Sequence, residues 1–183
     1  MKKILAITLL TWFVSVSTVF AYGYPRFWKG DKNFPLIFGK QGIAWYLDKK
    51  SITVKVNDPP YYIITGKIFY IGDSDYSPDN ELYSNDKEIS GTEDYEFFFD
   101  EEEFDMRVGD YSIKNWRYLK PSGMYFESGR PMAVGEAVFY VSQGRKFYGN
   151  FLWKDLSSIN ADYRNDKVAY FDIYSDDFYK DLR

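Results

Sequence analysis

The stretch from residue 43 to residue 71 constrains the fold most, because it carries the clearest β pattern in the chain. Ile43–Leu47 and Ser51–Val56 predict two strands, and Asp48–Lys50 predicts a turn or short link between them. In the second strand apolar and polar residues alternate strictly, which predicts burial of one face. That face would consist of Ile52, Val54 and Val56.

A turn and a third strand follow. Asn57–Pro60 carries two prolines after two polar residues and predicts the turn. Tyr61–Ile71 is rich in Tyr, Ile and Phe, which predicts a central strand buried on both faces. Gly66 inside this run is a candidate bulge.

Shorter strands are predicted on either side of this region. Tyr95–Phe99 and Phe104–Val108 predict a hairpin, with the acidic residues 100–103 at its tip. The apolar run 34–38 predicts an edge strand or a packed loop, since its proline disfavours a central strand. Residues 112–120 predict one more strand.

Pro131–Ser142 is the best helix candidate. Pro131 suits the first helical position, Glu136 would lie in the early turns, and Gly144 suits the C-terminal cap. A strand is the alternative, because residues 138–141 are rich in β-formers. The apolar helical face would comprise Met132, Val134, Ala137, Val138 and Val141.

The C-terminal part predicts a second helix at Phe147–Ile159, a strand at Val168–Tyr174 and a charged tail at Ser175–Arg183. Residues 22–183 would form one domain with an irregular lead-in at 22–41. Together the elements predict an α+β fold with a small antiparallel β-sheet of about five to seven strands. One or two helices would lie in its C-terminal half.

Residues 1–21 have the composition of a secretory signal peptide. Lys2 and Lys3 precede an uncharged apolar run, and Ala21 supplies the small residue before a cleavage site. An uncleaved anchor helix is the alternative, because the run is about long enough to span a bilayer. The sequence therefore predicts an extracytoplasmic protein, periplasmic, cell-surface or secreted, that meets the membrane only through this segment.

The composition excludes several kinds of chemistry. The chain has no cysteine and no histidine. Thiol nucleophiles, disulfides, His-dependent triads and zinc sites built from Cys or His are therefore excluded, and no cofactor is predicted. Removing residues 1–21 changes the formal charge from 23 − 27 = −4 to 21 − 27 = −6, so binding to nucleic acid is not expected.

Residues 72–93 predict a long polar surface loop that contains candidate calcium ligands. Pro78 stands where an EF-hand loop needs Gly, and Ser84 stands where it needs a bidentate Glu, so the loop is not an EF-hand. An irregular calcium site and a solvated acidic loop remain as interpretations. The candidate ligands are Asp73, Asp75, Asp79 and Glu81.

The acidic residues Asp100–Glu103 and Asp105 form the second candidate site. Paired carboxylates hydrolyse glycosides when they are held about 5–10 Å apart. A catalytic pair also needs surroundings that separate the two pKa values, which a hairpin tip in water does not provide. We interpret these acids as charges that protect the neighbouring aromatic strand from aggregation, and we predict no catalytic residue.

Large aromatic side chains form the third candidate set. The chain has 18 Tyr and 16 Phe, which are the main source of core burial in a chain without disulfides. Exposed members would instead form platforms for sugars or partner proteins. The residues considered are Trp28, Trp45, Trp116 and Trp153, with Tyr61, Tyr62, Tyr125 and Tyr148.

Trp45–Asp48, Ser51–Val54 and the strand that begins at Tyr61 resemble the start of the bacterial surface-adhesin protein E family. Residues 132–149, with Gly-Glu-Ala and Phe-Tyr-Gly, are loosely similar to its late helix. The resemblance implies an exported small α+β protein that binds host extracellular-matrix proteins. A lipid anchor and a disulfide do not carry over, because this chain has no cysteine.

We therefore expect an exported, non-enzymatic binding or surface-associated module. Its partner would be an extracellular or envelope protein or glycan. An envelope hydrolase that uses paired carboxylates, such as a glycosidase, is the alternative. A calcium-stabilised module is a third reading.

Overall fold

The computed structural model describes residues 24–40, 42–72, 88–110, 115–119, 125–149 and 175–183. These residues form a six-stranded antiparallel sheet and two α-helices, which confirms the predicted α+β class. The strands lie in the sheet in chain order. They are β1 (Leu36–Lys40), β2 (Ile43–Asp58), β3 (Tyr61–Gly72), β4 (Gly91–Asp100), β5 (Asp105–Asp110) and β6 (Asn115–Tyr118).

The helices are α1 (Tyr125–Gln143) and α2 (Asp176–Leu182), and both follow the last strand. A 3-10 turn at Trp28–Gly30 precedes β1. The predicted signal segment, the predicted strand 168–174 and most of the predicted helix 147–159 lie outside the described residues. Among the helices that the structure describes, none has the length and apolar character needed to cross a bilayer.

β2 is one continuous strand, so the turn predicted at Asp48–Lys50 is wrong. The polar residues there make a local irregularity in the pairing with β3, between Asp48 and Thr53. The Asp48 carboxylate accepts from the Lys50 amide at 3.0 Å, and the Ser51 hydroxyl donates to the Asp48 carbonyl at 2.6 Å. Such local bonds let a strand bend without ending.

The bulge expected at Gly66 lies in the neighbouring strand. The β3–β4 register runs unbroken through Gly66, whereas the irregular part of β2 lies opposite it. A Cβ on Gly66 would stand 2.7 Å from Val138 Cγ1 of α1. The missing side chain therefore lets the helix approach the sheet closely.

The predicted buried face of β2 is correct only next to this bulge. Ile52 packs against the core, but Val54 is 38% exposed. A second register shift, between Val54 and Val56, breaks the alternation that the sequence pattern assumes. β3 is buried on both faces as predicted, with Ile63, Ile64, Ile68, Phe69 and Ile71 all buried.

The predicted β4–β5 hairpin is confirmed. The Asp100 carboxylate accepts from the amides of Glu102 and Glu103 at 3.0 and 3.1 Å, which closes the turn. Phe104 has φ 50° and belongs to this turn, not to β5. β4 begins at Gly91, so the predicted surface loop 72–93 extends three residues too far at this end.

The edge strand, the prolyl turn and the strand predicted within residues 112–120 are confirmed. β1 lies at the sheet edge, where the sequence offered a strand or a packed loop. Pro59 and Pro60 form the turn between β2 and β3, and their peptide bond is cis. β6 falls within the predicted strand 112–120.

α1 begins earlier than predicted, so Pro131 lies inside the helix and not at its first position. The alternative of a strand at 138–141 is wrong. Gly144 ends the helix as predicted, with φ 71° and its amide donating to the Tyr140 carbonyl at 2.9 Å.

α1 is buried on more than the predicted face. The sheet covers one side, and residues 147–149 and α2 pack against it as well. A helix enclosed in this way is apolar nearly all round, so a single apolar stripe was the wrong expectation. Its buried apolar residues are Met132, Ala133, Val134, Ala137, Val138, Phe139 and Tyr140.

The predicted charged tail is the docked helix α2. Ser175 caps it, with its hydroxyl accepting from the Phe178 amide at 3.2 Å. Asp176 and Asp177 in the first turn favour the positive end of the helix dipole. The apolar members of its inner side, Tyr179 and Leu182, are buried.

The two faces of the sheet have different surroundings. The inner face packs against α1 through residues such as Ile64, Phe97 and Phe99. On the outer face, the β1–β3 end is covered by the lead-in, which forms a second cluster. That cluster contains Ala44, Tyr46, Phe69 and Ile71, packed by Tyr24, Trp28, Phe34 and Leu36.

Candidate binding surface

Four aromatic side chains form a row on the outer face of strands β3 to β6. Successive residues of a strand point to opposite faces, so cross-strand partners share a face. Phe98 pairs with Arg107, and Arg107 pairs with Tyr118, which places these three on the same side. We define the outer aromatic row as Tyr61, Phe98, Trp116 and Tyr118.

Three rings of the outer aromatic row, those of Tyr61, Phe98 and Trp116, contact one another in succession across the strands. Tyr61 and Phe98 stack with centroids 6.1 Å apart and planes 19° apart. Phe98 and Trp116 follow with centroids 6.0 Å apart. Trp116 pairs with Gly109, where an added Cβ would clash with the Asn115 carbonyl, so the missing side chain lets the backbone of β6 approach β5 closely.

The row remains accessible in the described structure. Tyr61 is 45% exposed and Tyr118 is 48% exposed, and Phe98 and Trp116 are half-buried. Aromatic rings that contact one another and remain partly open to water are typical of interaction sites.

Charged side chains flank the row, and three cations that the structure describes there, Lys55, Lys67 and Arg107, are paired with carboxylates. Lys55 contacts Glu96, and Arg107 contacts Asp105, which raises the pKa of the guanidinium. Lys67 Nζ lies 3.5 Å from Asp94 Oδ1. The described outer face therefore carries aromatic rings together with ion pairs, in which each positive charge is offset by a neighbouring carboxylate.

Two shallow depressions border the row. One of about 520 Å³ is lined by residues of β2, β3 and β4 together with Gly109, and it contains the Lys55–Glu96 pair and the Lys67–Asp94 pair. The other, of about 450 Å³, is lined by Glu103, Asp105, Arg107, Trp116 and Tyr118. Both open to solvent on the outer face.

The predicted hydrolase carboxylates are divided between the two faces, since Glu103 and Asp105 line the second depression whereas Glu101 lies at the rim of the inner face. Glu101 Oε1 accepts from Arg145 Nε at 2.7 Å, and Glu101 Oε2 accepts from the Tyr62 hydroxyl at 2.9 Å. The bonds from Arg145, and then that from Tyr62, hold the pKa of Glu101 below its ordinary value. A general acid needs the opposite shift, and Glu102 and Glu103 are exposed.

A similar cluster lies near the beginning of α1. The Tyr95 hydroxyl donates to Glu93 at 2.7 Å, and Arg130 Nη1 donates to the same carboxylate at 2.9 Å. The Arg130 guanidinium lies 5.2 Å from the Trp45 ring centroid. Burial, then the bond to Glu93, raises the pKa of Tyr95. These two Tyr–Glu–Arg clusters fasten both ends of α1 to the sheet.

Sequence reasoning missed the role of Glu136, which it placed in the early turns of the helix. Glu136 lies in the later half of α1 and is fully buried. Its carboxylate accepts from the amides of Phe147 and Tyr148 at 2.9 and 2.8 Å, and from the Tyr179 hydroxyl at 2.7 Å. The Gly149 amide contributes a longer bond of 3.4 Å.

The surroundings of Glu136 act on its carboxyl in opposite directions. Burial has the larger effect and raises the pKa of Glu136 above its ordinary value, while the bonds from Tyr179 and from the three amides oppose that rise. These groups hold the carboxylate by donating to it, and it links α1 to residues 147–149 and to α2. A single acid inside the apolar run 132–141 was the available sequence signal for such a buried group.

The other predicted residues divide between core and surface. Trp28 and Trp45 pack in the two clusters, and Tyr62 and Tyr148 are buried. Of the predicted aromatic residues whose side chains the structure describes, Tyr61 and Trp116 belong to the outer aromatic row, and the side chain of Tyr125 is not among them. Phe98 and Tyr118 were missed, and Trp153 lies outside the described residues.

The calcium candidates Asp73, Asp75, Asp79 and Glu81 also lie outside the described residues. Within the part of the chain that the structure describes, no three acidic side chains converge on a position that could hold a metal ion.

Compared with known protein families, characterised proteins and solved structures, the chain gives no match.

Proposed function

We propose that this protein is an exported, non-enzymatic binding module whose contact surface is the outer aromatic row. The observation that carries the proposal is the chain of contacting rings from Tyr61 to Trp116 on an open sheet face. Exposing aromatic rings to water is unfavourable, so a row of them indicates a surface that is used in contact.

The contrast with the acidic groups supports binding over hydrolysis. Glu101 is paired with Arg145 at the inner rim, and Glu136 is buried among donors. Both carboxylates hold the fold together, which leaves the outer face as the surface with unassigned chemistry.

Export rests on the composition of residues 1–21, and the adhesin-like character rests on the resemblance in residues 45–71. In this proposal the partner is an extracellular or envelope component. The protein acts as a surface-associated or secreted adhesin-like module.

The test compares a variant of the row with a matched aromatic control. In the row variant, Tyr61→Thr, Trp116→Thr and Tyr118→Thr replace three rings with a residue that favours strands. In the control, Phe104→Asn removes an exposed ring that contacts Phe147 on the other side of the sheet. Asn also tolerates the positive φ of this position.

Both proteins and the wild type are applied to immobilised laminin, collagen, cellulose, chitin and amylose. We expect the wild type to be retained on at least one surface. The row variant should lose at least about tenfold in affinity there, and the control should not, since central aromatic rings dominate binding energy. Equal retention of the row variant, or no retention of the wild type on any surface, would overturn the proposal.

A further inference from the structure

We infer that the outer aromatic row binds an uncharged polysaccharide, an inference that rests on the proposed function and names its ligand class. Three properties of the outer face lead to it: the neutralised charges, the pairing of rings with donors and acceptors, and the extended open shape of the row.

The charge pattern favours a neutral ligand. Lys55, Lys67 and Arg107, the cations that the described residues place beside the row, are each paired with a carboxylate of the same face. A phosphorylated or sulfated ligand would have to compete with that carboxylate for the cation, and it would also face Glu103 in the second depression. An uncharged ligand leaves all three pairs in place.

The combination of rings and ion pairs matches the chemistry of a sugar. A pyranose has an apolar face of C–H groups, which packs on an aromatic ring, and a rim of hydroxyls. Each hydroxyl both donates and accepts a hydrogen bond. An ion pair such as Lys67–Asp94 offers a donor and an acceptor side by side, so one hydroxyl can bond to both.

The shape of the row favours a chain of sugars over a single sugar. From β3 to β6 the row crosses three strand spacings, about 14 Å in all. The two depressions border it and open to solvent, so nothing among the described residues closes the ends of the row. Sheet faces of this kind bind oligosaccharides in other folds.

A protein partner is the competing ligand, and its binding would differ in a measurable way. Binding through the row to a neutral glycan involves no net charge, so it should change little with ionic strength. Docking of a charged protein surface against the Lys–Glu and Arg–Asp pairs would weaken as salt increases.

The experiment titrates the full mature protein with oligomers of glucose and of N-acetylglucosamine, from the monosaccharide to the hexasaccharide. Laminin and heparin are the protein and anionic comparisons. We expect one neutral series to bind, with affinity that rises with length and then levels off. The affinity should change less than about twofold between about 0.05 and 0.5 M salt. Trp116→Thr should lower it at least about tenfold, and Phe104→Asn should not.

Hydroxyl-radical footprinting supplies a readout that does not depend on the variants folding alike. In the free protein Tyr61 and Tyr118 should be labelled, and saturating hexasaccharide should protect them while Phe104 stays labelled. Tyrosines that are already protected in the free protein would show that the row is covered, and both this inference and the proposed function would fail.

The remaining outcomes separate the two proposals. If laminin or heparin binds through the row and no neutral oligomer does, the ligand class is wrong and the binding function stands. If no probe responds to Trp116→Thr, both are wrong.

Discussion

The two faces of β4 show how the same residue type serves stability on one side of a sheet and contact on the other. Phe97 and Phe99 point to the inner face and are fully buried under α1. Phe98 lies between them in the sequence, points to the outer face, stacks on Tyr61 and contacts Trp116 at a tilted angle. Three consecutive phenylalanines thus belong to a core and to a surface.

The difference between the faces lies in what covers them. The inner face is closed by a helix, and both Tyr–Glu–Arg clusters at its rim are tied down by hydrogen bonds. On the outer face the described lead-in covers only the β1–β3 end. The number of aromatic residues alone therefore does not distinguish core from contact surface. The distinction follows from the face of the strand to which a residue points and from the element that covers that face.

The largest expected effect tests the two faces directly. Phe97→Ala should lower the free energy of unfolding by about 3–5 kcal/mol, because it leaves a cavity under α1. Phe98→Ala should cost about 1 kcal/mol, since its ring is already partly in water. Urea unfolding of both variants measures the difference. Equal losses would remove the distinction between the faces.

The second-largest expected effect concerns Glu136, the buried acid of α1. Glu136→Gln keeps the size of the side chain but replaces a carboxylate oxygen with an amide donor, which faces donors in turn. We expect a loss of about 2–3 kcal/mol, because buried donors are left without an acceptor. Glu103→Gln at the exposed turn is the matched control and should change stability by less than about 0.5 kcal/mol.

Thermal unfolding followed by circular dichroism measures both variants. If Glu136→Gln is as stable as the wild type, the carboxylate does not hold residues 147–149 and α2 in place.

The smallest expected effect concerns the pairing of Glu101 with Arg145 at the rim of the inner face, whose contribution to stability depends on pH. The pKa of Glu101 is lowered in the folded protein, so its ionised form stabilises the fold at a pH above the ordinary value of 4.5. The contribution, about 1 kcal/mol for such a pair, is lost as the pH falls through the folded-state pKa.

The comparison of wild type with Glu101→Gln isolates this contribution. The difference in unfolding free energy should be present at pH 7 and vanish as acid protonates Glu101. Glu102→Gln, an exposed neighbour, should show no such pH dependence. A Glu101→Gln difference that persists unchanged into acid would contradict the role of the pair with Arg145.

The sequence alone predicted those parts of the sheet that depend on local patterns. Alternation and turn residues predicted β3, the β4–β5 hairpin and the class of the fold, because these depend on neighbours in the chain. Asp48–Lys50 failed as a turn because Asp48 and Ser51 bond locally inside an unbroken strand. β2 continues through these residues because it pairs with β3, and a local sequence pattern does not include that pairing.

The candidate surface was predictable only in part. Tyr61 and Trp116 were considered as exposed platforms, but the row needs the register that aligns β3 to β6. α2 was misjudged although its signals were present, since Ser175 followed by two aspartates is a common helix start. Glu136 depends on groups from three parts of the chain, which no local window contains.

The contact between Glu136 and Tyr179 also differs from the sheet in the length of chain that it closes. Each strand of the described sheet pairs with the next along the chain, so its pairings need only short loop closures. The Tyr179 hydroxyl, by contrast, lies 43 positions beyond its acceptor in α1. The docking of α2 therefore has a larger loop-closure entropy to overcome than the pairing of neighbouring strands.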